Sequence, residues 1–74
     1  MKEKIHIGKM IQNKMIDDGR SVQWLAKKLH CGTSNIYKIY EKSSINSELL
    51  LHISYALETN FFAYYSYELD KIIK

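Results

Sequence analysis

The stretch that decides the expected fold of this chain is VQWLAKKLHCGTSNIYKI, residues 22 to 39. Its first half carries apolar residues at i, i+3, i+4 and i+7, a spacing that places them on one face of a helix. These residues are Val22, Leu25, Ala26 and Leu29. The second half offers Ile36 and Ile39 as a buried pair. It leaves a polar outer face made of Ser34, Tyr37, Lys38 and Glu41. The pattern predicts two short helices joined by a tight four-residue turn.

This stretch resembles the Cro/phage-repressor class of helix-turn-helix domains, often called XRE-type regulators. The resemblance rests on Ala26, where two helices cross, on the core residues of the motif, and on the IGKMI opening at residues 7 to 11. It implies an all-α, five-helix, lambda-repressor-like DNA-binding domain that occupies residues 1 to 74, with the helix-turn-helix at about 22 to 41. It also implies a transcriptional regulator that binds double-stranded DNA in a sequence-specific way, with the helix at about 33 to 41 in the major groove.

The chain departs from the family pattern at two places. The family usually has glycine in the turn, where φ is positive, and this chain has His30, which tolerates that region at modest cost. The family often pairs a glutamate late in the recognition helix with an arginine on the first helix. Here Tyr40 and Met15 stand at those places, so we expect an apolar contact instead of the ion pair.

The resemblance also assigns DNA-contacting positions. Thr33, Ser34 and Lys38 fall where the family reads base edges, and a lysine can donate to guanine O6 and N7. Lys42 and Ser43 follow the recognition helix, where the family contacts the sugar-phosphate backbone. Gln23 and free N–H groups at the start of the preceding helix can also meet a phosphate. The full candidate set is Gln23, Thr33, Ser34, Asn35, Tyr37, Lys38, Lys42 and Ser43.

Two of these candidates have a plainer interpretation. Thr33 is expected to cap the third helix and can do so without touching DNA. Tyr37 is outward by periodicity, and its ring can pack on a thymine methyl, bond a phosphate or simply lie across the helix surface.

Periodicity and capping residues predict the other helices. The first runs from about Ile5 to Asp17, with Ile7, Ile11 and Met15 on its inner stripe. Ser21 reads as the N-cap of the second helix. Asn46 or Ser47 caps a fourth helix that extends to about Glu58 and buries Leu50, Ile53 and Leu57. A fifth helix begins near Phe61 and continues toward Ile73.

Size and composition indicate one small domain. The chain has 74 residues, 46% of them hydrophobic, and no proline. The single cysteine, Cys31, rules out an internal disulfide framework and fits a reducing cytoplasm. No apolar run approaches the ~20 residues of a membrane span, and the amino terminus lacks the apolar run of a signal peptide. We therefore expect a cytoplasmic protein that does not enter a membrane.

The charge is unevenly distributed. Residues 1 to 42 hold nine Lys or Arg against four Asp or Glu, a balance of +5, whereas residues 43 to 74 hold two against four, a balance of −2. The positive field therefore lies on the half that contains the motif. A solvated helical surface can also produce such a balance by chance.

Metal binding and catalysis find little support in the sequence. Zinc sites need about four converging ligands, but His6, His30 with Cys31, and His52 fall on separate segments. No nucleophile, base and acid are grouped. We expect no metal, no cofactor, no small-molecule substrate and no enzymatic activity.

The segment FFAYYSYEL, residues 61 to 69, is unusually aromatic. Periodicity turns Phe62, Tyr65 and Leu69 toward the core, which leaves outward Phe61, Tyr64 and Tyr67. This outward surface predicts a homodimer formed through the C-terminal helix. The alternative is a protein-interaction module, antitoxin-like or an adaptor, that uses the same helix.

Trp24 lies off the inner stripe of its own helix, where it covers the core edge or contacts a partner.

Overall fold

The structure, a computed structural model, describes residues 5–73. This range is all-helical and contains no strand. Its five helices are α1 (Ile7–Asp17), α2 (Val22–Lys28), α3 (Thr33–Glu41), α4 (Ser47–Leu57) and α5 (Phe62–Ile73). The expected helical class and the order of five helices are confirmed. Four charged residues that enter the balance above lie outside the described residues, namely Lys2, Glu3, Lys4 and Lys74.

Side-chain caps determine where three of the helices begin. In each case a side-chain acceptor takes a backbone N–H from the first turn. The acceptors are His6 Nδ1 for α1, Ser21 Oγ for α2 and Asn46 Oδ1 for α4. The predicted cap Ser21 is confirmed, and of the two candidates for α4, Asn46 and Ser47, Asn46 is the cap. Because His6 provides the cap, α1 starts at Ile7 and not at Ile5.

The predicted cap of α3 is wrong. Gly32 is the N-cap, with extended backbone dihedrals, and α3 has no side-chain cap. Thr33 is already the first helical residue, so its hydroxyl is one position too late to bond the N–H groups of the first turn. The side chain of Thr33 is exposed and free for another contact.

The core lies where α3 packs against α1 and α2, and α4 adds a further apolar face. Its buried members are Ile7, Ile11, Met15, Leu25, Ala26, Ile36, Ile39, Tyr40, Leu50, Ile53, Leu57 and Phe61. Val22, Leu29 and Trp24 are half-buried around this cluster, so Trp24 covers its edge. Met15 and Tyr40, between which an apolar contact was expected, are both buried in the cluster.

The predicted inner and outer faces of the C-terminal segment are wrong in part. Phe61 was expected outward but is completely buried, because it precedes α5 and turns into the core from the link. Tyr65 and Leu69 were expected inward but are 36% and 53% exposed. No residue of α5 is buried, and Phe62 alone of its apolar residues packs against the core while half-buried. The outward positions of Tyr64 and Tyr67 are confirmed.

Candidate nucleic-acid interface

The outer face of α3 is polar and open to solvent. Ile36, Ile39 and Tyr40 form the buried side of this helix. Every other residue of α3 is exposed, namely Thr33, Ser34, Asn35, Tyr37, Lys38 and Glu41. With 3.6 residues per turn, the direction opposite the buried side is occupied by Ser34, Lys38 and Glu41. These three side chains therefore project away from the core.

The turn before α3 is held by backbone hydrogen bonds. Cys31 N–H donates to the Ala26 carbonyl at 2.9 Å and His30 N–H donates to the Lys27 carbonyl at 3.2 Å. This pair of bonds is the Schellman motif, which needs a left-handed residue just after the helix. His30 has φ 57°, so the predicted positive φ is confirmed. The motif ends α2 and sets the point at which α3 begins.

The segment after α3 is held by the amino end of α1. Gly8 N–H donates to the Lys42 carbonyl at 2.9 Å, and Ile7 N–H donates to the Ser43 carbonyl at 3.1 Å. The side chains of Lys42 and Ser43 remain exposed. Two predicted phosphate contacts therefore extend from a backbone that is fixed by α1.

Gly8 makes this contact between helices possible. A Cβ at this position would collide with the backbone carbonyls of Ile39 and Tyr40. Only a residue without a side chain allows α1 to approach the last turn of α3 this closely. The same approach determines which side of α1 faces the candidate interface.

The two edges of α3 differ in their neighbours. Asn35, Lys38 and Lys42 follow one edge and line a shallow cleft that reaches Leu29 and Leu49. Tyr37 and Glu41 follow the other edge, where they share a cleft with Lys9 and Gln12 of α1. The structure thus groups seven of the eight candidates on and just after α3. The eighth, Gln23, is exposed in the first turn of α2.

Lys9 and Gln12 are functional candidates that sequence reasoning missed. Both are exposed, and both border Tyr37 through the shared cleft. Their spacing of i, i+3 places them on one face of α1, but periodicity does not say which neighbour that face meets. The signal was the glycine at position 8, which marks the side of α1 that lies against α3.

Tyr37 packs against a ring of its own helix and stays exposed. Its ring stands edge-on to Tyr40, with centroids 6.2 Å apart and planes at 90°, yet Tyr37 stays 57% exposed. Burial, followed by the nearby Tyr37, raises the pKa of the Tyr40 phenol above its ordinary value. Tyr40 therefore remains a neutral anchor under the exposed ring.

Most of the cations around α3 have no carboxylate partner. Within residues 5–73, the two ion pairs are Lys14 with Asp18 at 3.2 Å and Lys71 with Glu68 at 3.5 Å. The cations outside these pairs are Lys9, Arg20, Lys27, Lys28, Lys38 and Lys42. Glu41 is the exposed carboxylate of α3 and opposes this positive field. The surface around α3 is therefore cationic overall, and Glu41 is its local exception.

The possible metal ligands in the described part of the chain are scattered. No three His, Cys, Asp or Glu side chains there are grouped so as to hold a metal ion. An open cleft between the α2–α3 turn and α4 contains His30, His52 and Glu58, but they do not form such a group. In the same range, no helix has the length and apolar character needed to cross a bilayer.

Comparison with known proteins gives no relative from which a role can be transferred. No protein-family model, curated protein or solved structure matches the chain.

Proposed function

We propose that this protein binds double-stranded DNA in a sequence-specific way and regulates transcription, as a lambda-repressor-like, XRE-type regulator. In this proposal α2, the turn and α3 form a helix-turn-helix, and α3 lies in the major groove. The observation that carries it is the outer face of α3, where Ser34 and Lys38 project from an exposed and uncapped helix. A helix about 10–12 Å across fits a groove about 12 Å wide.

The candidate residues divide by the DNA groups they can reach. Lys38, Ser34 and Asn35 are suited to base edges, because lysine donates to guanine and an amide bonds adenine on two atoms. Lys42 and Ser43 are suited to phosphates, since they follow α3 and are fixed through their backbone carbonyls. Phosphate contacts orient the protein, and base contacts give it sequence preference.

The principal test is a selection of bound oligonucleotides followed by fluorescence anisotropy over a range of salt concentrations. We expect Lys38→Ala to weaken specific binding by about 1–3 kcal/mol and to relax base preference at one position of the site. Lys42→Ala should weaken binding to all sequences alike. It should also reduce the slope of log K against log [salt] by about one, because complex formation then releases one counterion fewer.

Lys71→Ala is the matched control, since it removes a lysine that lies on α5 and pairs with Glu68. It should leave base preference unchanged. If the wild type shows no salt-dependent binding to any duplex, the proposed function is wrong. If Lys38→Ala changes neither affinity nor base preference, the assignment of α3 to the groove is wrong.

We further propose that the protein acts as a homodimer through α5. Two-fold pairing would place two recognition helices about 34 Å apart, one turn of DNA. The residues that support this are Tyr65, Leu69 and Ile72, which recur at i, i+4 and i+7 on one face and are exposed. Tyr64 and Tyr67, from which the dimer was predicted, lie off this face of α5. A stripe of this kind normally faces a core, and this one needs another surface to cover it.

The same observation favours a second candidate function, a protein-interaction module whose α5 binds a different protein. The two proposals differ in their first partner. A module of this kind would stay monomeric alone and would bind no duplex in a salt-dependent way. The anisotropy series and a measurement of molecular mass therefore separate the two.

A further inference from the structure

A cleft between the carboxyl end of α2 and helix α4 is not used by the proposed function, and we call it the α2–α4 cleft. Its floor consists of Leu29, Leu49 and Ala56, which are half-buried and pack against the core. Its volume is about 770 Å³, and small-molecule sites commonly measure roughly 300–1,000 Å³. Helical periodicity did not indicate this cleft, because its floor joins residues that are distant in the sequence.

The rim of the α2–α4 cleft carries two opposite charges from the ends of two different helices. Lys28 is the last residue of α2, and Glu58 is the C-cap of α4. Both side chains are exposed and line the cleft. Neither residue belongs to an ion pair within residues 5–73, so they are not paired with each other. The cleft therefore combines an apolar floor with an available ammonium group and an available carboxylate.

The Glu58 end of the cleft favours a bound cation for two reasons. The Glu58 carboxylate lies at the carbonyl end of α4, where the helix dipole is negative and a second negative charge is unfavourable. The last turn of α4 contains no basic residue that would offset these charges. An ammonium group bound here would compensate for both the carboxylate and the helix end.

The Lys28 end of the cleft favours an anion. Lys28 Nζ lies 5.5 Å from the centroid of the Trp24 ring, a cation–π contact that leaves its N–H donors available. The imidazoles of His30 and His52 line the same cleft, and each can donate a hydrogen bond to a carboxylate. A carboxylate is therefore the ligand group that suits this end.

We propose that the α2–α4 cleft binds a short apolar peptide, about two or three residues long, whose two termini are free. The amino terminus of the peptide binds Glu58, its carboxylate binds Lys28, and its apolar side chains cover the floor. Each peptide residue spans up to about 3.3–3.6 Å, so the two terminal charges reach different helices. A free amino acid carries both charges on one carbon, and an internal segment of a protein carries neither.

The test titrates isotope-labelled protein with dileucine and follows the backbone amide signals by NMR. Dileucine should saturate at millimolar concentration and shift the amides of Ala56 and His52, while those of α1 stay unchanged. N-acetyl-dileucine lacks the ammonium group, and dileucine amide lacks the carboxylate. Each should bind about two- to five-fold more weakly, the effect of one exposed ion pair. Free leucine should also bind more weakly than dileucine.

Two variants connect each terminus of the peptide with its partner on the protein. Glu58→Gln should weaken dileucine by the same factor of about two to five and leave N-acetyl-dileucine unaffected, because that probe has no ammonium group to lose. Lys28→Gln should also weaken dileucine, with dileucine amide as the unaffected probe. Lys27→Gln is the matched control, since it removes a neighbouring charge that does not line the cleft. A thermal melt of each variant verifies its folding.

The outcomes that would overturn this inference are distinct from those that test DNA binding. The inference is wrong if dileucine produces no saturable shifts, or if free leucine binds as tightly as dileucine. It is equally wrong if blocking either terminus leaves the affinity unchanged, or if Glu58→Gln weakens N-acetyl-dileucine as much as dileucine. Because the titration contains no DNA, either result leaves the proposed function as it stands.

Discussion

At the scale of the residue, three helices end in the same way. Gly19, His30 and Glu58 follow α1, α2 and α4 with φ values of 66°, 57° and 51°. After each of them, a backbone N–H donates at 2.9 Å to a carbonyl five residues earlier, from Arg20, Cys31 and Thr59 respectively. Glycine adopts this conformation without steric cost, whereas a histidine or a glutamate does not.

The positive φ of His30 leads to a prediction about stability. His30→Gly should raise the free energy of unfolding by about 0.5–1 kcal/mol, because the relief of strain exceeds the entropy that glycine adds to the unfolded chain. Chemical denaturation measures this. Glu58→Gly, at nearly the same φ, is the matched control and should behave alike. A clear loss of stability in His30→Gly alone would mean that the imidazole makes a stabilising contact.

Gly8 leads to a prediction of opposite sign. Gly8→Ala should lower the free energy of unfolding by more than about 3 kcal/mol, because the new Cβ meets two rigid backbone carbonyls and α1 and α3 must separate. Gly32→Ser is the control, since its new Cβ would meet only the Ser34 Oγ at 3.9 Å, an ordinary contact, and its hydroxyl can supply the missing cap of α3. It should keep or raise stability. A Gly8→Ala variant as stable as the wild type in a thermal melt would contradict this α1–α3 contact.

At the scale of the element, α3 is anchored by a buried tyrosine whose titration couples to folding. Burial and the neighbouring Tyr37 raise the pKa of Tyr40, so the folded state favours the neutral phenol. The folded pKa exceeds the unfolded value of about 10. The contribution of the neutral Tyr40 phenol to stability is therefore complete below pH ~10 and is lost as the pH rises through the folded pKa.

We therefore predict that the stability of the wild type falls more steeply above pH ~10 than that of Tyr40→Phe, which cannot ionise there. Urea denaturation at a series of pH values measures the difference. Tyr55→Phe alters a tyrosine that is almost fully exposed and serves as the control. If Tyr40→Phe and the wild type lose stability in parallel, Tyr40 does not contribute to the alkaline transition.

At the scale of the whole molecule, the chain has more surface than its mass requires. Its accessible surface is 5539 Å², whereas a compact monomer of 8.7 kDa has about 4,700 Å². Its extents of 41 × 23 × 21 Å describe an elongated body. Unburied apolar surface is concentrated on α5, which favours a covering partner.

We predict that the wild type dimerises in sedimentation equilibrium and that Leu69→Glu with Ile72→Glu yields a monomer. Both side chains are more than half exposed, so the change should spare the core. Tyr67→Glu, on the opposite face of α5, is the control and should remain dimeric. A wild type that is monomeric at high micromolar concentration, both free and on a palindromic duplex, would rule out the dimer.

Most of the helical framework follows from the amino-acid sequence alone. Apolar spacing at 3.6 residues per turn identified the inner stripes of α1 to α4, because that signal lies within each helix. The caps Ser21 and Asn46 and the strained turn residue His30 were also predictable, since each acts on neighbours only a few residues away. Thr33 was assigned one position wrongly, because Gly32 has no side chain to mark it as the cap.

Which neighbour each face of these helices meets depends on how the helices pack together. Periodicity shows that Leu69 and Phe62 share a side of α5, but it does not say whether the body of the protein reaches that side. The core ends at the start of α5 because Phe61 fills it from the link, and the rest of the stripe is left in solvent. In the same way, Lys9 lies beside the outer surface of α3 only because Gly8 allows α1 and α3 to touch, although these helices are distant in the sequence.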